Sequence, residues 1–302
     1  MRKICFESDA APRLEQAREP EPGPGELLVA TEAVGVGLGL IRGLRSGTPA
    51  TGAEIVGRVT GVGPGAHGCR IGDRVGGVVL RDAFAEATVA MPTLVSTVPE
   101  QVDRATALCV VRGGLIALSV LRAAALTRGE SVLVTGAASG VGHLAVQLAA
   151  AMGAARVVAA AGSPDKTAFL HECGATEVVT YDRDWDEPVD VVLDGVGGDL
   201  VQRGVDALRP RGRLVAFSAG GGSVDTASLL GGLKTVTGFS IGLISREQPE
   251  RVDQLRAELW RRLAAGDLRP VGTEFSFDRV GEAIALVDER RNRGRVLVTP
   301  HP

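Results

Sequence analysis

Residues 132–143 read Val132-Leu133-Val134-Thr135-Gly136-Ala137-Ala138-Ser139-Gly140-Val141-Gly142-His143. A short apolar run enters a turn of glycine and other small residues, and the turn opens onto a helical pattern that Gly153 closes. Small residues let a backbone approach a pyrophosphate closely. The unpaired N–H groups and positive end of the helix then meet its charge. The spacing is not Gly-x-Gly-x-x-Gly, and a glycine string alone is commonly just a tight turn. The strand before it and the helix after it supply the context that a dinucleotide site requires.

Working outward, short apolar strands recur at Arg156–Ala160, Glu177–Thr180, Val189–Leu193 and Arg213–Phe217. Helical patterns separate them at Pro164–Cys173, with proline in the first turn and Gly174 beyond its end, and at Asp199–Leu208. This alternation predicts an α/β domain with a doubly wound parallel sheet of Rossmann type over residues 105–269. Ala105–Leu126 is long and alanine-rich and reads as one or two buried helices. Glu250–Ala265 reads as an amphipathic helix. Residues 1–104 have a different texture. Valine-bearing runs at Leu27–Ala30, Ile55–Val62, Arg74–Leu80 and Ala87–Val89 are broken by glycine and proline, which predicts a β-rich domain. The last apolar run, Val296–Thr299, reads as a strand that returns to that domain, so 270–302 is grouped with 1–104.

The tip of the second strand bears on the choice of cofactor. An NAD site places an acid there for the ribose hydroxyls. Here the strand ends Ala159-Ala160-Ala161-Gly162-Ser163, and Asp165 comes only at the helix start. Lys166 is one of three lysines in the chain. A hydroxyl, a lysine and a tip without an acid suit a 2′-phosphate and predict NADPH, although Ser163 could also cap the helix and Lys166 could be solvated. Tyr181, the single tyrosine, follows the third strand and reads equally as half-buried filler or as an adenosine-side contact. Asp194-Gly195-Val196-Gly197-Gly198 and Ser218-Ala219-Gly220-Gly221-Gly222 follow the fourth and fifth strands, at the carboxyl ends where ligands of such sheets bind.

Composition excludes several classes. The chain has 302 residues, 45% hydrophobic and 23% charged, enough for two cores. Its 33 basic and 36 acidic residues leave no surplus for a nucleic-acid footprint. With 41 glycines and only 10 aromatics, the cores must be built from Ala, Val and Leu. No uncharged apolar run reaches a membrane span, since Arg122 interrupts the longest, Gly113–Ala125, and the start carries no signal-peptide pattern. Four separated cysteines form no Cys-x-x-Cys pair and fit a reducing cytoplasm.

The segments Gly52-Ala53-Glu54-Ile55-Val56-Gly57, Gly72-Asp73-Arg74-Val75, Arg128–Val134, Gly136–Gly142, Ala161–Lys166, Val191–Gly198, Gly212–Val215 and Arg293–Val298 run nearly end to end. In them the chain resembles the medium-chain dehydrogenases/reductases, in the zinc-independent quinone oxidoreductase and enoyl reductase branch. The resemblance implies a GroES-like domain from both chain ends, a central Rossmann domain, NADPH and a homodimer. It implies that Ser139, Gly140, Val141 and Gly142 face the pyrophosphate, and that Ser163, Lys166 and Tyr181 hold the 2′-phosphate. It also implies that Gly195, Val196, Ser218, Ala219, Phe239, Ser240 and Ile241 lie along the nicotinamide ribose and ring.

Two departures from the family pattern stand out. Zinc members carry a structural cysteine cluster and a Cys/His site. Here His67, His143, His171 and His301 have no ligand partners at useful spacing, so no metal is expected. Zinc-free members show an Asn and, three residues on, an Asp before an Arg-x-Gly. The segment Ala33–Gly47 replaces both with apolar residues or glycine. The expected activity is hydride transfer from NADPH to a quinone or an α,β-unsaturated carbonyl, with a bulky polyketide-like substrate suiting an apolar pocket. The lost polar residues also admit a cyclase or isomerase without net redox, or a non-catalytic NADPH-binding protein. Arg42, Arg45 and Arg112 are the charged candidates on the substrate side, each read more readily as a surface or interface arginine, and no catalytic residue follows from the sequence.

Overall fold

A computed structural model describes residues 1–6, 11–48, 51–217 and 220–301. The chain divides into one unit of Met1–Arg112 with Val271–Pro302 and a second of Gly113–Pro270.

The first unit begins with the antiparallel pair β1 (Arg2–Cys5) and β2 (Arg13–Gln16). The strands β3 (Leu27–Val36), β4 (Ala53–Val62), β5 (Arg74–Val79), β6 (Ala87–Ala90) and β7 (Val95–Thr97) follow. Strand β3 is longer than the sequence suggests. Ala33–Val36 carries glycine and reads poorly alone, yet it pairs with β4 on one side and is buried. Gly72 turns the chain before β5 at φ +95°, a conformation that glycine takes without steric cost.

The second unit holds six parallel strands: β8 (Ser131–Thr135), β9 (Arg156–Ala161), β10 (Glu177–Thr180), β11 (Val189–Asp194), β12 (Leu208–Ala216) and β13 (Thr235–Gly238). Their order is β10-β9-β8-β11-β12-β13, all parallel. That is the doubly wound order, with its topological switch between β8 and β11. Strands β8 and β9 are near-continuous Val/Ala/Leu runs because helices cover both faces of such a sheet. The helix Gly142–Ala151 is almost entirely buried, and Pro249–Ala264 buries only Val252, Leu255 and Leu259 along one stripe. Strand β13 lay hidden from the sequence because Thr235-Val236-Thr237-Gly238 is short, half polar and exposed at the sheet edge.

The chain then returns to the first unit through β14 (Gly272–Ser276), a helix at Val280–Asp288 and β15 (Arg295–Thr299). Strand β15 pairs antiparallel with β3, as the return of Val296–Thr299 requires. The sheet order is β14-β15-β3-β4-β5-β7, with β6 also on β3, around a core of Leu27, Val29, Val34, Ile55, Val75, Phe84 and Phe277. The fold is therefore a GroES-like β-rich domain drawn from both ends of the chain plus a Rossmann domain.

Residues 104–123 form one helical run: Arg104–Leu108, a π turn at Cys109–Gly114 and Leu115–Ala123. It is the one helix among the described residues long and apolar enough to cross a membrane, and 72% of its most apolar window is buried in the protein, as in a core helix. Asp103 caps its start, accepting from the Thr106 N–H at 2.9 Å.

Candidate cofactor site of the Rossmann unit

The turn after β8 sits at the switch point. Gly136 takes φ +60°, and its N–H donates to the Tyr181 hydroxyl at 2.8 Å. That hydroxyl donates in turn to the Ala160 carbonyl at 3.3 Å. Tyr181 thus ties the turn to the tip of β9, and its ring lies beside Gly162. Both polar capacities of the hydroxyl are spent inside the protein, a role that neither sequence reading foresaw.

The turn then closes on its own helix. The Ser139 hydroxyl accepts from the Gly142 N–H at 3.0 Å, and the Ser139 carbonyl faces both the His143 N–H at 3.2 Å and His143 Nδ1 at 2.8 Å. A Cβ at Gly142 would stand 2.2 Å from the Gly136 carbonyl oxygen, so only glycine lets the helix start this close to the strand. The N–H groups of Gly140 and Val141 bond to no acceptor among the described residues. Two unpaired donors at the positive end of a buried ten-residue helix fit a diphosphate. His143 is fully buried. Desolvation holds its pKa down at about 4 despite the bond to Ser139, so it stays neutral and is part of the framework, as its position in the helix predicts.

Asp194, wholly buried at the end of β11, organises the neighbouring loop. Its carboxylate accepts from the Thr135 hydroxyl at 2.7 Å, the Val196 N–H at 3.3 Å and the Gly197 N–H at 3.0 Å. The Gly195 N–H donates to the Thr135 hydroxyl at 3.0 Å. These bonds are charge-assisted and lock the loop after β11 to the end of β8 across the switch point. Gly197, at φ +86°, packs against Gly220, and the Gly198 N–H reaches the Gly221 carbonyl at 3.0 Å. The loops after β11 and β12 are therefore in contact. A carboxylate that follows the apolar run Val191-Val192-Leu193 was the sequence signal for Asp194.

The remaining expected residues fall as follows. Ser163 leaves β9 in extended conformation and makes no capping bond to the short 3-10 helix Pro164–Lys166. Lys166 is only 8% exposed, so the solvated alternative is ruled out by burial. The Phe239 N–H continues the sheet by donating to the Ala216 carbonyl at 2.8 Å. Ser240 caps the helix Ile241–Glu247 through the Leu243 N–H. Ser218 and Ala219 lie outside the described residues. The structure gathers Ser139–Gly142, Tyr181, Gly195 and Val196 around the switch point. Phe239, Ser240 and Ile241 follow the last strand of the same sheet. No group of three or more His, Cys, Asp or Glu side chains that could hold a metal occurs among the described residues.

The geometry has counterparts in known proteins. A family model described as zinc-binding dehydrogenase matches residues 140–258. The quinone oxidoreductase of Pseudomonas aeruginosa is 28% identical over 328 residues, covering 99% of both chains. The solved quinone oxidoreductase of Thermus thermophilus, determined alone and in complex with NADPH, superposes with a TM-score of 0.84 at 28% identity, covering 99% of this chain and 100% of that one. In sequence and fold the chain is similar to members of the medium-chain dehydrogenase/reductase superfamily. The likeness to quinone oxidoreductases runs along the whole chain. A mycocerosic acid synthase-like polyketide synthase of Mycolicibacterium smegmatis is also 28% identical, over 92% of this chain, which spans only 14% of that protein.

The GroES-like unit carries the segment Ala33–Gly47, in which the Asn and Asp expected from the resemblance are absent. Gly37 leads into the helix Leu38–Arg45, which buries Leu40 and Ile41. Arg45 pairs with Asp288 at 2.6 Å on the surface, which explains that arginine without chemistry. A cavity of about 440 Å³ in the same unit is lined by Glu32, Arg58, Arg74, Glu100, Arg104 and His301. Its arginines are already neutralised: Arg58 by Glu100 at 2.7 Å, Arg74 by Glu32 at 2.8 Å and Arg104 by Glu274 at 3.0 Å.

Proposed function

We propose that the protein is an NADPH-dependent reductase that transfers hydride to a quinone or an α,β-unsaturated carbonyl. The observation that carries this reading is the pair of unpaired N–H groups at Gly140 and Val141, beside a turn held by Tyr181 and Asp194 at the switch point. In it, the unit Gly113–Pro270 binds the cofactor and the GroES-like unit binds the acceptor.

Gly140 and Val141 receive the diphosphate, while Ser139 and Gly142 hold the turn in shape. Ser163 and Lys166 take the 2′-phosphate, with Tyr181 fixing the floor between them and the turn. Gly195, Val196, Phe239, Ser240 and Ile241, together with Ser218 and Ala219, border the nicotinamide ribose and ring. When bound, NADPH supplies a two-electron hydride. The chain's own groups orient it, exclude water and present its reactive face. The Asp194 network serves that end by fixing the loop that carries Gly195 and Val196. Solvent supplies the proton that completes the reduction.

The apolar stretch Ala33–Gly47 favours a large apolar acceptor. Likeness to a segment of a polyketide synthase supports a polyketide-like one. The same stretch supports a second reading, in which NADPH is held without being consumed and the protein acts as a cyclase, an isomerase or a sensor. Steady-state NADPH oxidation with a panel of quinones and enones separates the two. We expect turnover with at least one acceptor and a preference for NADPH over NADH. Tight NADPH binding with no consumption across the panel would overturn the reductase reading.

A further inference from the structure

Glu54, on β4, is a buried carboxylate that faces two guanidiniums. Arg295, at the start of β15, pairs with its Oε1 and also donates from Nη1 to the Val36 carbonyl at 2.9 Å. Arg112, on the π turn Cys109–Gly114, donates from Nη1 to Oε2 at 3.3 Å. Gly35 makes room for the arrangement, because a Cβ there would stand 2.3 Å from Arg295 Nη2 and 2.6 Å from Glu54 Oε1. Gly37, which leads into the helix Leu38–Arg45, stands with its Cβ position 3.4 Å from the same guanidinium. Burial alone would push the Glu54 pKa up, but Arg295 and Arg112 together hold it below the ordinary carboxylate value, so it is charged.

Two cations and one anion leave an excess of one positive charge. The excess is not shared equally. The Arg295 side chain is 15% exposed, whereas that of Arg112 is 45% exposed. Arg112 Nε and Nη2 donate to nothing among the described residues, and Arg295 Nε is buried without a partner. One edge of the Arg112 guanidinium is thus anchored and the other is open. A structural ion pair needs only Arg295. A second guanidinium, presented from a π turn beside the stretch that has lost its polar residues, is built to receive an anion.

We infer that Arg112 is the oxyanion-binding residue of the GroES-like unit, and that its open edge takes the acceptor's carbonyl oxygen as negative charge develops there. The inference rests on the reductase reading above. A hydride from NADPH forms the new C–H bond at the acceptor's β-carbon. The C=C electron pair shifts to give an enolate with its charge on oxygen, and a solvent proton at the α-carbon restores the ketone. NADPH leaves as NADP⁺, so electrons and protons balance. Arg112 donates to the oxygen throughout, Glu54 is a positioning residue that fixes the angle of the guanidinium, and solvent is the acid.

The test uses Arg112→Ala and Arg112→Lys in the full-length protein, with Arg45→Ala as a control on an unrelated surface pair. The probes are 2-cyclohexenone for turnover and 4-nitrophenolate, a coloured oxyanion, for binding. Arg112→Ala should lower kcat by roughly 10- to 100-fold and weaken 4-nitrophenolate at least tenfold. NADPH affinity should be unchanged, Arg112→Lys should recover part of both losses, and Arg45→Ala should match the wild type. Wild-type phenolate affinity in Arg112→Ala, or no phenolate binding by the wild type, overturns the inference. A wild type that consumes no NADPH with any acceptor overturns the reductase reading instead, and the phenolate titration tells the two failures apart.

Discussion

At the scale of single residues, the site is held by groups that do no chemistry. The Tyr181 hydroxyl bonds to backbone groups, the Asp194 carboxylate bonds to backbone groups and the Thr135 hydroxyl, and together they fix the two loops at the switch point. His143 adds a pH-dependent contribution. Its pKa is about 4 in the folded chain against 6.5 for an ordinary histidine, because burial disfavours the charged form. The unfolded chain therefore binds the extra proton first. The stability that His143 confers is full above pH 6.5 and is lost as the pH falls towards 4. Urea unfolding of the wild type and of His143→Gln should show this. Between pH 7 and 4.5 the wild type should lose roughly 2–3 kcal/mol more than the variant. Parallel losses in both would remove His143 from the account. The glycine turn, Ser163, Lys166 and Tyr181 were singled out in the sequence because the pattern expected of a phosphate site is local, and their part in holding one is proposed. Thr135 was quoted there with the glycine turn and given no partner, and the meeting of Glu54, Arg112 and Arg295 joins three separate elements, which spacing along the chain cannot reveal.

At the scale of elements, legibility follows burial. The strands β8, β9 and β11 match their expected spans closely, because a largely apolar run enclosed on both faces announces itself. Strand β14, the helix Val280–Asp288 and the edge strand β13 did not announce themselves, since half-buried or exposed elements carry mixed composition. The edge strand has a consequence. Leu230 is 77% exposed and Leu243 43% exposed on either side of it in the chain, beside unpaired strand groups. An open edge flanked by leucines is a pairing surface unless something covers it. A homodimer built on this edge is the assembly we expect. Light scattering after gel filtration should give a dimer for the wild type and a monomer for the Leu230→Glu/Leu243→Glu variant. A monomeric wild type would contradict it.

At the scale of the molecule, the chain separates two tasks. The GroES-like unit offers an apolar segment and one anchored, half-open guanidinium, and the Rossmann unit offers a glycine turn with two unpaired N–H groups and a second-strand tip without an acid. The likeness to quinone oxidoreductases extends to the whole fold, and in the proposed function the acceptor is chosen by residues in which this chain departs from their pattern. The claim on which both halves depend is that the crevice at Gly140 and Val141 holds NADPH, with Ser163 and Lys166 reading its extra phosphate. Isothermal titration of the full-length protein tests it directly, with NADPH and NADH injected into the wild type and into Lys166→Ala. The account predicts one NADPH per chain, at least about tenfold weaker NADH, and a Lys166→Ala variant that loses affinity for NADPH alone, by roughly tenfold for a loss of about 1.4 kcal/mol. No heat with NADPH, or equal affinity for the two nucleotides in the wild type, would contradict it.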